Sequence, residues 1–131
     1  MSIIYVLDAS AVLAWIFREP GADRVASLMQ TETCWLCSVN AAEIVSRLAD
    51  AERPEAALRQ VIDHIGAQLV PFDHSHATES GLMRPLTRHL GLSLGDRACL
   101  AVAKLANATA VTADRPWLQL NIGISIECIR P

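Results

Sequence analysis

Short β-branched apolar runs alternate with helix-forming segments along nearly the whole chain, and this order restricts the fold more than any single motif does. Ile3 to Leu7 is the first such run, ended by Asp8, and the helix-forming stretch Ser10 to Arg18 follows and closes at Pro20-Gly21. The spacing of Val25, Leu28 and Met29 predicts a helix over Ala22–Gln30, followed by a strand over Thr33–Cys37 and a helix from about Val39 to Ala51. Pro54 suits the first turn of a further helix carrying Leu58, Val61, Ile62 and Ile65 on one stripe, with Gly66 ending it. Gln68–Phe72 reads as the third strand, and His74–Leu90 as a helix that Pro85 kinks or divides. A helix over Ser93–Ala106, a buried strand over Ala108–Thr112, a helical turn or two over Arg115–Leu120 and a last strand over Ile124–Ile129 complete the chain. Strands alternating with helices pair in parallel through crossovers, which cover the sheet on both faces. The expectation is a single three-layer α/β/α domain, 1–131, with a mainly parallel sheet of about five strands; 131 residues, 52% of them hydrophobic, are enough for one core.

The net charge of −3 argues against a protein that holds nucleic acid through a broad basic surface, since phosphate neutralisation needs clustered cations. Any nucleic-acid contact is therefore expected to be local. Ten of the eleven basic residues are Arg, the side chain better suited to bidentate phosphate contacts, and Lys104 is the one lysine. The amino terminus carries no basic leader, and the apolar run Ala11–Phe17 is far shorter than the ~20 residues that span a bilayer, so a cytoplasmic protein is expected. Cys34, Cys37, Cys99 and Cys128 are then expected as thiols. Cys34 and Cys37 have the spacing of half a zinc site. They lie in a strand-like segment without a second Cys/His pair, which favours buried structural cysteines.

A parallel sheet presents its ligand site outside the carboxyl ends of the strands, which places Asp8 and Asp114 directly and Glu43 through the helix after the second strand, whereas Asp96 follows a helix and is not placed by a strand. Asp8 closes the first strand, and Asp114 lies two residues past the Ala108–Thr112 strand. Glu43 sits in the first turns of the helix after the second strand, and Asp96 in the first turn of the Ser93–Ala106 helix. Each alone has a bland explanation. Asp8 or Ser10 fits a helix cap, Asn40 to Glu43 and Ser93 to Asp96 have capping-box spacing, Asp114 fits a cap of the turn containing Pro116, and Arg47 follows Glu43 by one helical turn. Only the joint pattern favours a site. Carboxylates crowded on one rim repel one another, and a hard divalent ion relieves this; Mg²⁺ or Mn²⁺ suits an all-oxygen set without imidazole. The chemistry that follows is phosphoryl, with Ser10 and Thr112, each two residues from an acid, placed to orient a carboxylate or a water.

The segments VLDASAV (Val6–Val12), NAAEIVS (Asn40–Ser46), SLGDRACLA (Ser93–Ala101) and VTADRPW (Val111–Trp117), in this order and spacing, resemble the PIN domain, specifically the VapC toxins of bacterial toxin–antitoxin pairs. The resemblance runs nearly end to end. It implies that Asp8, Glu43, Asp96 and Asp114 form an acidic Mg²⁺ or Mn²⁺ site with Ser10 and Thr112 as its hydroxyls. It further implies an endoribonuclease that cleaves structured RNA, a VapB-like antitoxin partner whose carboxy-terminal segment covers the site, and a homodimer. The apolar Ala11–Phe17 segment agrees equally with a surface covered by a partner and with a buried helix.

Arg97 and Arg115 each follow an acid directly and are candidates for flanking phosphate contacts, although either fits a solvated or paired arginine as well. Arg84, Arg88 and His89 form a second candidate patch, whereas Asp73-His74-Ser75-His76 reads as a polar turn entering a helix. Two rival functions stand beside the nuclease: a non-catalytic PIN-like module that binds RNA or protein, and a receiver-type phosphoacceptor domain. The latter calls for adjacent acids after the first strand and a late lysine, whereas Asp8 is followed by Ala9 and Lys104 falls mid-helix.

Overall fold

The computed structural model describes residues 2–131. Its strands are β1 (Ile4–Leu7), β2 (Thr33–Cys37), β3 (Gln68–Val70), β4 (Thr109–Thr112) and β5 (Ser125–Cys128). The helices are α1 (Ala9–Ile16), α2 (Ala22–Thr31), α3 (Ser38–Asp50), α4 (Glu55–Leu58), α5 (His74–Leu82), α6 (Arg84–Thr87) and α7 (Leu94–Ala106). One sheet, ordered β3-β2-β1-β4-β5, holds all five strands, and every neighbouring pair is parallel.

β1 lies at the centre, and its consecutive residues point to opposite faces, as the pleat requires. Leu7 joins the cluster built with Val12 of α1, Val25 and Leu28 of α2 and Ile44 of α3. Val6 joins the cluster on the other face with Cys99, Leu100 and Val102 of α7 and the buried Trp117. Both residues are fully buried, each contributing roughly 1.5–3 kcal/mol of hydrophobic stabilisation. These two clusters are the layers above and below the sheet. The three-layer expectation therefore holds, and the sheet is wholly rather than mainly parallel.

Three local departures from the expected elements have physical causes. β3 stops at Val70 instead of Phe72 because Pro71 has no N–H for the ladder; the Phe72 amide donates instead to Ser38 Oγ at 3.0 Å. The segment after Pro54 is not one helix but α4 and a 3-10 turn at Ile62–His64. Leu58, Val61 and Ile62 still pack on the edge of the core. A stripe that buries so little gives a short helix too little tertiary packing to propagate. The His74–Leu90 stretch divides at Met83 into α5, α6 and a 3-10 turn, with Pro85 near the start of α6, where its missing N–H costs nothing.

From β1 the chain builds outward through β2 to β3, and then returns to place β4 on the opposite side of β1. The sheet thus changes direction between β1 and β4, and in open parallel sheets the crevice at such a point is where ligands bind.

Candidate active site

Asp8 sits at this point. Its amide donates to the Val111 carbonyl at 2.8 Å, carrying the β1–β4 pairing one residue past β1, and the residue is 2% exposed. Although it occupies the N-cap position of α1, its side chain makes no capping bond. Asp8 Oδ2 instead accepts from Ser10 Oγ at 2.6 Å and from Thr112 Oγ1 at 3.3 Å. The two hydroxyls are 3.2 Å apart, and they in turn accept from the Ala113 amide at 2.9 Å and the Asp114 amide at 3.0 Å. Ser10 and Thr112 therefore tie the ends of β1 and β4 around one carboxylate.

Glu43 reaches the same region from α3. That helix begins at Ser38, so Asn40 is inside it and forms no capping box. The Asn40 amide donates to Glu43 Oε1 at 2.9 Å and to the Gly95 carbonyl at 3.0 Å, joining α3 to the start of α7, while Asn40 Oδ1 is buried without a partner. Gly95 leaves room for this arrangement, because a Cβ at that position would overlap the Glu43 carboxylate and oblige it to shift. Arg47 does not pair with Glu43 as the helical spacing suggested; its guanidinium lies over the Phe17 ring, 5.5 Å from the centroid.

Asp96 is the one acid for which the capping explanation holds. Its Oδ2 accepts from the Ser93 amide at 2.9 Å, and its own amide donates to Ser93 Oγ at 3.2 Å. Asp114 is exposed at the head of the Arg115–Gln119 turn and makes no side-chain cap bond. Asp8, Ser10, Asp96, Ala113, Asp114 and Arg130 together line a cavity of about 210 Å³. A larger cavity of about 580 Å³, lined by Trp15, Arg18 and Glu19 among others, contains none of the four acids.

The electrostatics unite three of the acids. Burial pushes the Asp8 carboxyl up to about 7; the Ser10 hydroxyl bond opposes this, and the charges of Asp96 and Glu43 add to it. Glu43 is also raised, by burial first and by Asp96, with the Asn40 bond opposing. Among the described residues no Lys, Arg or His forms an ion pair with any of the four. Repelling, hard, all-oxygen donors without a cation are the donor set that suits Mg²⁺ or Mn²⁺. As the side chains lie, no three His, Cys, Asp or Glu among the described residues converge on a common point.

The other candidates separate from this centre. Arg97 is half-buried and turns away toward α5, where Nη1 donates to the Ser80 carbonyl at 3.0 Å, so it stands as a bridge between α5 and α7. Arg115 is exposed beside Asp114. Arg84, Arg88 and His89 are exposed at α6 and the turn after it. Asp73 and His76 form a reciprocal capping box at the start of α5, as a polar turn would. Cys34, Cys37 and Cys99 are buried thiols, and burial pushes Cys34 up to about 11, away from the thiolate a metal would take. Lys104 pairs with Glu79 at 2.8 Å, which leaves the receiver reading without its lysine. Arg130 lines the acid cavity and was not singled out from the sequence, although it lies just past the last strand, where the rule that found Asp8 and Asp114 also points.

The PIN-domain family model matches residues 5–121. A search of curated proteins finds no match. Among solved structures, VapBC2 from Rickettsia felis, bound to a promoter DNA fragment, superposes with a TM-score of 0.75 at 17% identity, covering 95% of this chain and 98% of that one. DNA-bound VapBC from Salmonella typhimurium gives a TM-score of 0.73 at 18% identity, over 97% and 98% of the two chains. VapC20 from Mycobacterium tuberculosis, described as a sarcin–ricin loop cleaving toxin, gives 0.74 at 13% identity, over 97% and 99%. At these identities the likeness is one of fold. No helix of the described residues is long and apolar enough to cross a membrane.

Proposed function

The chain belongs to the PIN-domain family, and from that premise we propose that it is a metal-dependent endoribonuclease acting as the toxin of a VapBC-type toxin–antitoxin pair. The observation that carries the nuclease reading is Asp8, a buried carboxylate without a counter-cation among the described residues, facing the charges of Asp96 and Glu43 where the sheet changes direction. The toxin reading is supported by the fold likeness to chains solved as VapBC complexes and to an RNA-cleaving VapC20. A VapB-like antitoxin, a homodimer and a cytoplasmic location belong to the same proposal.

Asp8, Asp96 and Asp114, which share the cavity lining, are the residues proposed to hold Mg²⁺ or Mn²⁺, with Glu43, whose charge acts on Asp8, beside them. Mg²⁺ keeps several of its waters and needs only one or two protein carboxylates, so such a set suffices. Bound there, the ion supplies charge neutralisation at a phosphodiester and a more acidic attacking water. The protein's own part is positional. Ser10 and Thr112 fix the Asp8 carboxylate through their hydroxyls, and Asn40 fixes Glu43. An ion held there would also favour the ionised form of Asp8 at neutral pH, which burial alone opposes.

That no three acids among the described residues converge favours, as a second reading, a non-catalytic PIN-like module that binds RNA or protein. One experiment decides between them: incubation of purified protein with total RNA in Mn²⁺, Mg²⁺ or EDTA, beside the Asp96→Asn variant. Cleavage dependent on the metal and lost in Asp96→Asn is expected. Undiminished cleavage by Asp96→Asn overturns the site assignment, and no cleavage by the parent chain leaves the binding module.

A further inference from the structure

The chain does not end loosely after β5. The Ile129 amide donates to the Thr112 carbonyl at 2.9 Å, continuing the β4–β5 ladder, and Ile129 is buried. Gly21, with φ +97°, packs so closely on it that a Cβ there would meet both the Ile129 side chain and its carbonyl. The tail is thus clamped between β4 and the turn joining α1 and α2. This clamp sets Arg130 beside Ala113 and Asp114, where among the described residues it is the one cationic side chain lining the acid cavity.

Glu19, from the same turn, accepts from Arg130 Nη2 at 3.2 Å. A guanidinium has five N–H donors in a planar fork, so a single bond on one side leaves the remaining donors for a second anion. Both side chains are substantially open to solvent, Arg130 at 39% and Glu19 at 47%, and so accessible to a large ligand. An RNA phosphate entering a cavity lined by Asp8, Asp96 and Asp114 meets repulsion that a cation in the same lining offsets.

We propose that Arg130 is a substrate-binding residue that contacts a phosphate of the RNA strand lying across the acid cavity. The inference rests on the ribonuclease reading and adds to it a residue from the chain's last turn. The competing account is mechanical: the Arg130–Glu19 pair merely fastens the tail. The two accounts diverge at Glu19, because removing its charge breaks the fastening but leaves the cation.

The test compares the parent protein with Arg130→Ala, Arg130→Lys and Glu19→Gln. The readouts are binding of a fluorescein-labelled RNA hairpin by anisotropy in Ca²⁺ at several salt concentrations, and cleavage of total RNA in Mn²⁺. Arg130→Ala is expected to weaken hairpin binding roughly tenfold and to flatten the plot of log affinity against log salt by about one unit, as loss of one phosphate contact does. Arg130→Lys is expected to recover part of the affinity, and Glu19→Gln to stay within about twofold of the parent. Unchanged binding in Arg130→Ala, or an equal loss in Glu19→Gln, overturns the proposal. Cleavage that survives Asp96→Asn instead overturns the nuclease site, and it does so whatever the Arg130 variants show.

Discussion

Replacing Asp8 with asparagine is expected to stabilise the metal-free protein, and by more as the pH rises. Asparagine keeps the size of the side chain and an oxygen for the Ser10 and Thr112 hydroxyls while removing the ionisable group. In the folded protein the Asp8 carboxyl is held up at about 7 against its ordinary 3.8, chiefly by burial. The folded state therefore binds this proton more tightly than the unfolded chain does. The associated stability is fully present below about pH 4 and is lost as pH rises through about 7. A separation of about three pK units, at ~1.4 kcal/mol each, puts the loss at roughly 2 kcal/mol by pH 5 and roughly 4 kcal/mol by pH 8. For a domain of this length, that corresponds to a shift on the order of 10 °C in melting temperature at the alkaline end. Thermal denaturation of the parent and Asp8→Asn, in EDTA from about pH 5 to 8.5, reads this directly, and titrating groups remote from Asp8 cancel. The two melting curves should approach each other at acid pH and separate steadily up to about pH 7.5, with the variant higher. Parallel profiles, or a variant less stable than the parent at pH 8, would show that the buried carboxylate is not the strained group described here.

If the same carboxylate binds the ion, millimolar Mg²⁺ should raise the parent's melting temperature at pH 8 by several degrees. A concentration ten times the dissociation constant is worth about 1.4 kcal/mol. The response should shrink at pH 5.5 and vanish in Asp8→Asn, and an equal shift in both proteins would place the ion elsewhere. Gly95→Ala should cost about 1–3 kcal/mol in denaturant unfolding and reduce RNA cleavage, because its methyl displaces Glu43. Gly81→Ala in α5 meets nothing within 4 Å and should instead stabilise by roughly 0.5–1 kcal/mol; matched effects at the two positions would refute the contact at Gly95.

The sequence was most readable where local chemistry and the global fold agree. Ile3–Leu7 ending at Asp8 has the composition of a central strand and is one, and Ser93–Ala106 has the caps and periodicity of a helix and is one. Pro71 and Pro85 cut their elements for reasons written in the proline itself. The hydroxyl positions Ser10 and Thr112 were found by proximity to acids, yet their shared hold on Asp8 depends on β4 lying next to β1, which no local pattern encodes. Arg97 illustrates the opposite case. Adjacency to Asp96 suggested a shared face, but successive residues on a helix point about 100° apart, and Arg97 faces α5. The capping ambiguity resolved acid by acid for a similar reason. Whether a carboxylate caps its own helix depends on what the neighbouring side chains offer, and of the four only Asp96 bonds its helix's N-terminal backbone, while Asp8 and Glu43 accept from side chains instead.

The clamp of Ile129 against Gly21 has a practical consequence for anyone handling the protein. In a parallel sheet the start of β1 and the end of β5 lie at opposite ends of the strands, so the chain enters and leaves the sheet on opposite sides. An affinity tag or fusion partner attached after Pro131 would emerge beside the acid cavity, whereas one placed ahead of Ile4 would emerge at the other end of the sheet.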